Sequence, residues 1–98
     1  MEVANSIQTV LSSIPARPGV YLMRDAEGRV IYVGKAINLA SRVRSYFTPS
    51  AQENPKTRRL VAEVASLEFI VTDSELEALI LEANLIKAHR PRFNVRLR

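Results

Sequence analysis

The sequence predicts a single mixed α/β (α+β) domain spanning residues 1–98. Segments with helical spacing and segments with strand-like alternation follow one another in the order α, β, β, α, α, β, α, β, without an internal repeat. Hydrophobic residues make up 47% of the chain and charged residues 24%, which is typical of a soluble globular domain. A chain of this length forms one core.

The N-terminal third of the chain predicts a helix followed by a β-hairpin. Apolar residues recur at helical spacing over residues 3–13, and Pro15 ends that helix. Aromatic and β-branched residues then fill segments 16–24 and 29–34, on either side of the sequence DAEG, which can reverse the chain. We therefore expect two neighbouring strands joined by a tight turn.

Two short helices are predicted after the hairpin. Asn38 suits the N-cap of a helix over residues 39–47, in which Arg42 and Tyr46 share a face. After a loop, Asn54 and the proline that follows it suit the N-cap and first position of a helix that runs to about residue 65.

The last third predicts a strand, a long helix and a final strand. The sequence LEFIVT, residues 67–72, is the third predicted strand. Ser74 and Glu77 have capping-box spacing at the start of a long helix of strong helix formers, which Pro91 closes. Residues 92–97, RFNVRL, alternate in a way that suits a last strand.

Composition excludes several classes of protein. The chain has no cysteine, so it forms neither a disulfide framework nor a thiolate metal site, as expected in a reducing compartment. No apolar run approaches the roughly 20 residues that cross a membrane, and we expect a cytoplasmic location. A net charge of +4 and a pI near 10.0 indicate an anionic partner.

Basic residues are concentrated in two stretches that could follow a phosphate backbone. The first stretch contains Lys35, Arg42, Arg44, Lys56, Arg58 and Arg59, and the second, which has no acid after Glu82, contains Lys87, Arg90, Arg92, Arg96 and Arg98. Solvated helix faces explain such stretches about equally well, so charge alone does not decide between the two interpretations.

Two tyrosines in the hairpin are candidates for chemistry. Alternation places Tyr21 and Met23 on one face of the first strand, and Tyr32 with Val30 on one face of the second. The two phenols are then opposite or diagonal neighbours, and Gly34 permits a close backbone approach or an unusual dihedral beside them. Taken singly, such tyrosines are more often core or interface residues.

Glu82 is a carboxylate within the apolar sequence LILEANLI, on a helix that we expect to be largely buried. A buried charge without a partner is costly, so the group needs a cation, a strong hydrogen-bond donor or a route to solvent. A metal ion satisfies this need, and an ion pair with Arg42 or Lys35 satisfies it equally well.

Five blocks of the sequence together resemble the GIY-YIG nuclease superfamily, and most closely its UvrC-type branch. The superfamily signature appears as GVY at residues 19–21 and YVG at 32–34, with valine in place of both isoleucines. The blocks are PGVYLM (18–23), IYVGKA (31–36), L..R..SYF (39–47), EALILEANLIK (77–87) and RP.FNVRL (90–97). Their joint occurrence in order, over nearly the whole chain, is far more specific than either triplet.

This resemblance implies a small GIY-YIG fold, with a central antiparallel sheet of about three strands flanked by helices. Glu82 is the implied ligand of a single Mg²⁺ or Mn²⁺, Tyr21 the phenol that positions or deprotonates the attacking water, and Arg42 the cation on the phosphate. The implied catalytic residues are Tyr21, Tyr32, Lys35, Arg42, Tyr46 and Asn94, and the structural glycines are Gly19 and Gly34. Contacts to DNA are expected from Lys35, Arg42, Arg44, Lys56, Arg58, Arg59 and Arg90.

The function implied by the resemblance is hydrolysis of a DNA phosphodiester on the 3′ side of a lesion in nucleotide excision repair. The chain is then an N-terminal fragment of a longer protein, monomeric by itself, which acts on damaged duplex DNA with a UvrB-like partner bound through regions that this chain lacks. The alternative is a non-catalytic or free-standing GIY-YIG module that binds DNA without cutting it.

Overall fold

The computed structural model describes residues 2–95, and the side chains of residues 7–94 within them. Its elements are α1 (Glu2–Ser13), β1 (Gly19–Arg24), β2 (Val30–Ala36), α2 (Leu39–Ser45), α3 (Pro55–Glu63), β3 (Ser66–Val71), α4 (Glu75–His89) and α5 (Arg92–Val95), with a 3₁₀ turn at Ala51–Glu53 before α3. The predicted mixed α/β fold around a small antiparallel sheet is confirmed.

The central strand of the sheet is β1, which pairs antiparallel with both β2 and β3. Tyr21 lies opposite Gly34 on β2 and opposite Phe69 on β3. The ladder between β1 and β2 shifts its register after Met23. Because of this irregularity, Val30 packs on the opposite side of the sheet from Tyr32, and the expectation that they share a face is wrong.

The hairpin turn is organised by Asp25. Its Oδ1 accepts hydrogen bonds from the backbone N–H groups of Glu27 and Arg29, both at 3.0 Å, and its carbonyl accepts one from Gly28 at 2.9 Å. Gly28 has a φ of 84°, a left-handed conformation that glycine adopts without strain. The predicted DAEG reversal is confirmed, and it fixes the register that brings the tyrosines together.

The core has two layers, one on each face of the sheet. The larger cluster lies on the face that carries Tyr21, and includes Met23, Leu39, Val43 and Leu60. A smaller cluster on the other face consists of Leu22, Val30 and Val33, with Leu85 and Ile86 of α4 packed against it. The sheet is thus covered by helices on both faces, and its central strand is almost fully buried.

Helix starts follow the predicted caps. Asn38 accepts from the Ser41 N–H at 3.0 Å, and Asn54 accepts from the N–H groups that open α3. Ser74 accepts from the Glu77 N–H at 3.1 Å, while the Glu77 carboxylate accepts from the N–H of residue 73 at 2.8 Å. These side chains satisfy backbone donors that a helix leaves unpaired.

The helix α4 is far less buried than the sequence predicts. Within it Ala78 is buried, whereas Leu76, Leu79 and Ile80 are 64%, 48% and 53% exposed. The helix carries its own hydrophobic residues on all of its sides, but it packs against β1 and β2 along one narrow stripe only. Apolar composition therefore overestimated its burial. In the described residues, no helix is long and apolar enough to cross a membrane.

The predicted final strand is wrong over the residues that the structure describes. Residues 92–95 form the short helix α5, which follows Arg90 in the left-handed region (φ 47°) and a buried Pro91. The N–H of Asn94 bonds back to the carbonyl of Pro91 at 3.0 Å, a local bond that a strand would not make. The rest of that prediction, residues 96–97, lies outside the described residues, as do the basic side chains of Arg96 and Arg98.

Candidate active site

Three phenols converge on the face of the sheet opposite α4. Tyr21 comes from β1, Tyr32 from β2 and Tyr46 from the C-terminal end of α2. Their ring centroids lie 5.8 to 6.3 Å apart, and the Tyr21 and Tyr46 hydroxyls share a hydrogen bond of 2.7 Å. We call these three residues the tyrosine cluster. The expectation that the hairpin phenols are diagonal neighbours is met, because Tyr32 pairs with Met23, two residues beyond Tyr21.

The glycines of the GVY and YVG triplets, Gly19 and Gly34, occupy positions where a Cβ would overlap other atoms. Gly34 lies directly opposite Tyr21, and a Cβ at Gly34 would overlap the ring and hydroxyl of that tyrosine. A Cβ at Gly19 would overlap the carbonyl of Ile70 on β3. Gly34 therefore makes room for the Tyr21 phenol, and Gly19 allows the close pairing of β1 with β3.

Arg42 joins the tyrosine cluster from α2. Its guanidinium carbon lies 5.3 Å from the centroid of the Tyr46 ring, four residues along the same helix. The helix spacing that predicted a shared face is confirmed here. The side chain is exposed at its outer side, which leaves the planar fork of donors accessible to an anion.

The cluster keeps its phenols protonated at neutral pH. Burial raises the pKa of Tyr21 above 10, although the hydrogen bond to Tyr46 and the neighbouring Arg42 oppose the rise. Burial also raises the pKa of Tyr32 and of Tyr46, and the nearby phenols raise both further. Tyr21 is therefore a neutral phenol that shares a hydrogen bond with Tyr46 in this arrangement.

Glu82 lies on α4 and is half-buried, with a route to solvent. Its carboxylate makes no hydrogen bond or ion pair with the described residues, and its charge is close enough to Tyr32 to raise the pKa of that phenol. The described residues contain no group of three or more acids or histidines that could hold a metal. A single carboxylate open to water suits Mg²⁺, which retains several water ligands.

Asn94 connects α5 to the edge of the sheet. Its Oδ1 accepts from the Val33 N–H at 2.8 Å, and its Nδ2 donates to the Val33 carbonyl at 2.9 Å. One side-chain amide thereby satisfies both backbone groups of a fully buried residue on β2, between Tyr32 and Gly34. The structure makes Asn94 a positioning residue for the second triplet.

Lys35 faces away from the tyrosine cluster. It pairs with Val20, and alternation places both on the sheet face that α4 covers, opposite Tyr21 and Tyr32. The side chain is exposed. Lys35 therefore lies on the side of the sheet that α4 covers, while the Tyr21 and Tyr32 phenols lie on the other side.

The seven basic residues that we expected to contact DNA divide into two groups. Arg44 donates from Nε and Nη2 to the Leu11 carbonyl, at 2.9 and 2.7 Å, and so ties α2 to α1. Arg58 donates to the Gln52 carbonyl at 3.0 Å. Lys35, Arg42, Lys56, Arg59 and Arg90 have no carbonyl or carboxylate partner among the described residues, and all five are exposed.

One feature of the site could not be found in the sequence. A cavity of about 320 Å³ borders Tyr32, Arg42 and Tyr46, and Phe93 also contributes to its wall. Its other walls come from α3 and the 3₁₀ turn, where the sequence marks Asn54 as a cap and Lys56 as a cation expected to contact DNA but does not show that they border a cavity.

Comparison with known proteins identifies the family to which this domain belongs. A family model described as the UvrC-like GIY-YIG domain matches residues 17–95. The chain belongs to the UvrC-like GIY-YIG family. The resemblance predicted from the five sequence blocks is thus confirmed.

Relatives of this GIY-YIG domain are much longer than the chain itself. It is 56% identical over 93 residues to the UvrABC system protein C of Dehalococcoides mccartyi, covering 95% of this chain and 15% of that protein. The protein of the same name from Acetivibrio thermocellus is 55% identical over 92 residues, covering 94% of this chain and likewise 15% of the relative. The domain therefore spans about 15% of the length of these curated relatives.

A solved structure has the same fold. The GIY-YIG N-terminal endonuclease domain of UvrC from Thermotoga maritima, bound to its catalytic magnesium, superposes with a TM-score of 0.78 and is 43% identical. The match covers 88% of this chain and 92% of that domain. The implied GIY-YIG fold is confirmed, including the three-stranded sheet.

Proposed function

We propose that this GIY-YIG domain is a metal-dependent DNA endonuclease that hydrolyses a phosphodiester on the 3′ side of a lesion in nucleotide excision repair. The observation that carries the proposal is the convergence of Tyr21, Tyr32, Tyr46 and Arg42 on one face of the sheet, where Tyr32, Arg42 and Tyr46 border an open cavity. The charge of the half-buried Glu82 carboxylate acts on Tyr32 from α4. Membership of the UvrC-like family supports the same activity.

Glu82 is the residue that would hold the metal, Mg²⁺ or Mn²⁺. When bound, such an ion polarises the phosphate, stabilises the leaving oxygen and makes bound water more acidic. The half-exposed carboxylate fits this use, because it has no competing partner among the described side chains.

The residues of the chain supply orientation and charge. Arg42 presents a planar fork of donors that holds two phosphate oxygens and offsets the charge that develops in the transition state. Tyr21, fixed by the hydrogen bond to Tyr46, orients the attacking water through its hydroxyl. Tyr32 borders the same cavity as Arg42 and feels the charge of Glu82, and Asn94 bonds to both backbone groups of the neighbouring Val33.

The substrate and partners extend the proposal beyond the domain. We propose that the substrate is damaged duplex DNA, delivered with the help of a UvrB-like partner. The domain corresponds to a small part of relatives that are named as a component of the UvrABC system, which supports a partner that binds elsewhere in such a protein. A DNA substrate and a chain without cysteine support a cytoplasmic location.

The rival function is a DNA-binding module that does not cut. It requires the basic surface but not Glu82, and predicts equal DNA affinity with and without that carboxylate and no nicking by either protein. The endonuclease proposal predicts that metal-dependent nicking disappears when the carboxylate is removed.

The Glu82→Gln substitution separates these functions. Incision of a lesion-bearing duplex, with the repair partners present and with or without Mg²⁺, is expected to fall at least about 100-fold, because loss of the ligand removes several kcal/mol of transition-state stabilisation. Glu75→Gln, in the exposed first turn of the same helix, is the control and should cut normally. Full activity of the Glu82 variant would rule out the proposed metal site.

A further inference from the structure

The cavity beside the tyrosine cluster is also lined by residues of α3, and we call it the α3 cavity. One wall is formed by Tyr32, Arg42 and Tyr46. The lining also includes Lys56, Thr57 and Leu60 of α3 and Phe93 of α5. At about 320 Å³ it is near the lower limit of the volumes that bind small ligands, which is a suitable size for one nucleotide.

The walls of the α3 cavity combine the groups that bind a nucleobase and its phosphate. Phe93 and the buried Leu60 offer apolar surface on which a base can stack. Thr57 and the Asn54 Nδ2 have no hydrogen-bond partner for their side-chain donors among the described residues, so both are available to the edges of a base. Lys56 is exposed at the rim, where an ammonium can contact a phosphate.

The α3 cavity is held open by hydrogen bonds that do not involve a ligand. Gln52 donates from Nε2 to the Tyr46 carbonyl at 3.0 Å, and Arg58 donates to the Gln52 carbonyl at 3.0 Å. Asn54 caps α3 through its Oδ1, with the Lys56 N–H at 2.9 Å. These bonds fix the 3₁₀ turn and the start of α3 against α2, so a ligand meets a preformed wall.

We propose that the α3 cavity binds the nucleotide next to the bond that is cut, with its base unstacked from the duplex. The inference rests on the proposed function, which places the scissile phosphate on Arg42. Since Arg42 and Tyr46 line both the site and the cavity, a nucleoside attached to that phosphate reaches the cavity without a change in the protein. A stacked base inside a duplex cannot enter such a pocket, so the domain acts on a strand that is locally open.

The test is a binding measurement that does not depend on cleavage. The ¹⁵N-labelled chain is titrated, without divalent metal, with a 5′-phosphorylated thymidine dinucleotide and with the same compound carrying an abasic residue in place of one nucleoside. Removal of the base is expected to weaken binding about 5- to 150-fold, since stacking of one base on an aromatic side chain has that effect. Backbone amide resonances of Thr57, Leu60 and Phe93 should shift with the dinucleotide.

A substitution that blocks the α3 cavity, with a matched control on the same helix, tests whether the base binds there. Ser45 lines the α3 cavity and is exposed on α2, whereas Ser41, one turn earlier on the same helix, is exposed but does not line it. Ser45→Trp is expected to remove the dependence on the base, and Ser41→Trp to leave it unchanged. Both avoid the loss of Phe93, which packs against the core.

Each outcome bears on one hypothesis. Equal affinity for the two compounds, or base-dependent binding that survives Ser45→Trp, would overturn the α3 cavity as a nucleotide site and leave the endonuclease proposal standing. Base-dependent binding that Ser45→Trp removes would support the site, even if a separate Mg²⁺ assay with the repair partners found no incision and so rejected the endonuclease proposal.

Discussion

Gly34 is the residue whose size decides where the Tyr21 phenol lies. The Tyr21 ring covers the backbone of Gly34 across the β1–β2 ladder and is 1% exposed, so a Cβ at position 34 would have to displace it. Asn94 makes a comparable contribution one position away, through two hydrogen bonds to Val33. The geometry of the site therefore depends on the absence of a side chain at Gly34 and on the Asn94 amide, which pairs the backbone of β2 at the edge of the sheet.

Gly34→Ala should damage cleavage more than folding. Overpacking against Tyr21 is expected to cost about 1 to 3 kcal/mol of unfolding free energy in urea. Displacement of the phenol by about 1 Å is expected to lower incision about 100-fold. Gly28→Ala is the control, because alanine is strained at the φ of 84° that Gly28 adopts, so stability falls at the turn and not at the Gly34–Tyr21 contact. Equal incision by the two variants at temperatures where both are folded would contradict the steric argument.

Asn94→Ala tests the connection between α5 and the sheet. The buried Val33 N–H and carbonyl lose their partners, so the unfolding free energy should fall by about 1 to 3 kcal/mol. Incision should also fall, because Val33 lies between Tyr32 and Gly34. The control is Asn84→Ala, at an exposed position on α4. If urea unfolding of the two variants were indistinguishable, the Asn94 hydrogen bonds would contribute nothing to stability.

Among the secondary-structure elements, the hairpin turn shows how a carboxylate can serve the fold alone. Burial by itself raises the pKa of Asp25, but backbone N–H groups from Arg29 and Glu27 and the charge of Arg29 outweigh it and lower the pKa. The ionised carboxylate is thus stabilised in the folded state. Asp25 supports the turn that sets the register of β1 against β2, and through it the position of Tyr32.

The stability supplied by the Asp25 charge should depend on pH. Because its pKa is lower in the folded than in the unfolded chain, this contribution is present above about pH 4 and is lost as the pH falls through the folded pKa. Urea unfolding of wild type and Asp25→Asn between about pH 2 and 6 should show a shallower decline in the variant. Parallel curves would show that the charge of Asp25 adds no stability.

Across the whole molecule, basic side chains have two different uses. Arg44 ties α1 to α2 through the Leu11 carbonyl, and Arg92 pairs with Glu63 of α3, so these cations hold elements together. Lys56 is exposed without such a partner, on the same side as the α3 cavity. A net charge of +4 is therefore not distributed as a uniform DNA-binding surface.

DNA binding should distinguish these uses through its salt dependence. Lys56→Ala is expected to weaken duplex binding and to lower the slope of log K against log salt by about 1, since one phosphate contact is lost. Arg44→Ala is expected to lower the thermal unfolding temperature while leaving that slope unchanged. Fluorescence anisotropy at several salt concentrations measures both slopes. If the slope fell for Arg44→Ala and not for Lys56→Ala, Arg44 would be the residue that contacts DNA and Lys56 would not.

Local rules predicted most of the elements. Caps at Asn38, Asn54 and Ser74, and the turn at Asp25, depend on short-range hydrogen bonds that neighbouring residues determine. The predicted strand after Pro91 failed because alternation in six residues is a weak signal, and Asn94 bonds to β2 through its side chain instead of extending the sheet. The burial of α4 was overestimated because composition does not reveal how much of a helix its neighbours cover.

The sequence by itself determined the family, the mixed fold and the candidate residues Tyr21, Arg42 and Glu82, because motif order and hydrophobic period are properties of the chain alone. Tertiary structure alone decided that Tyr21 and Tyr46 share a hydrogen bond, that Lys35 faces away from them, and that a cavity opens beside α3. Those features depend on strand register and on contacts between residues distant in sequence, which no local pattern records.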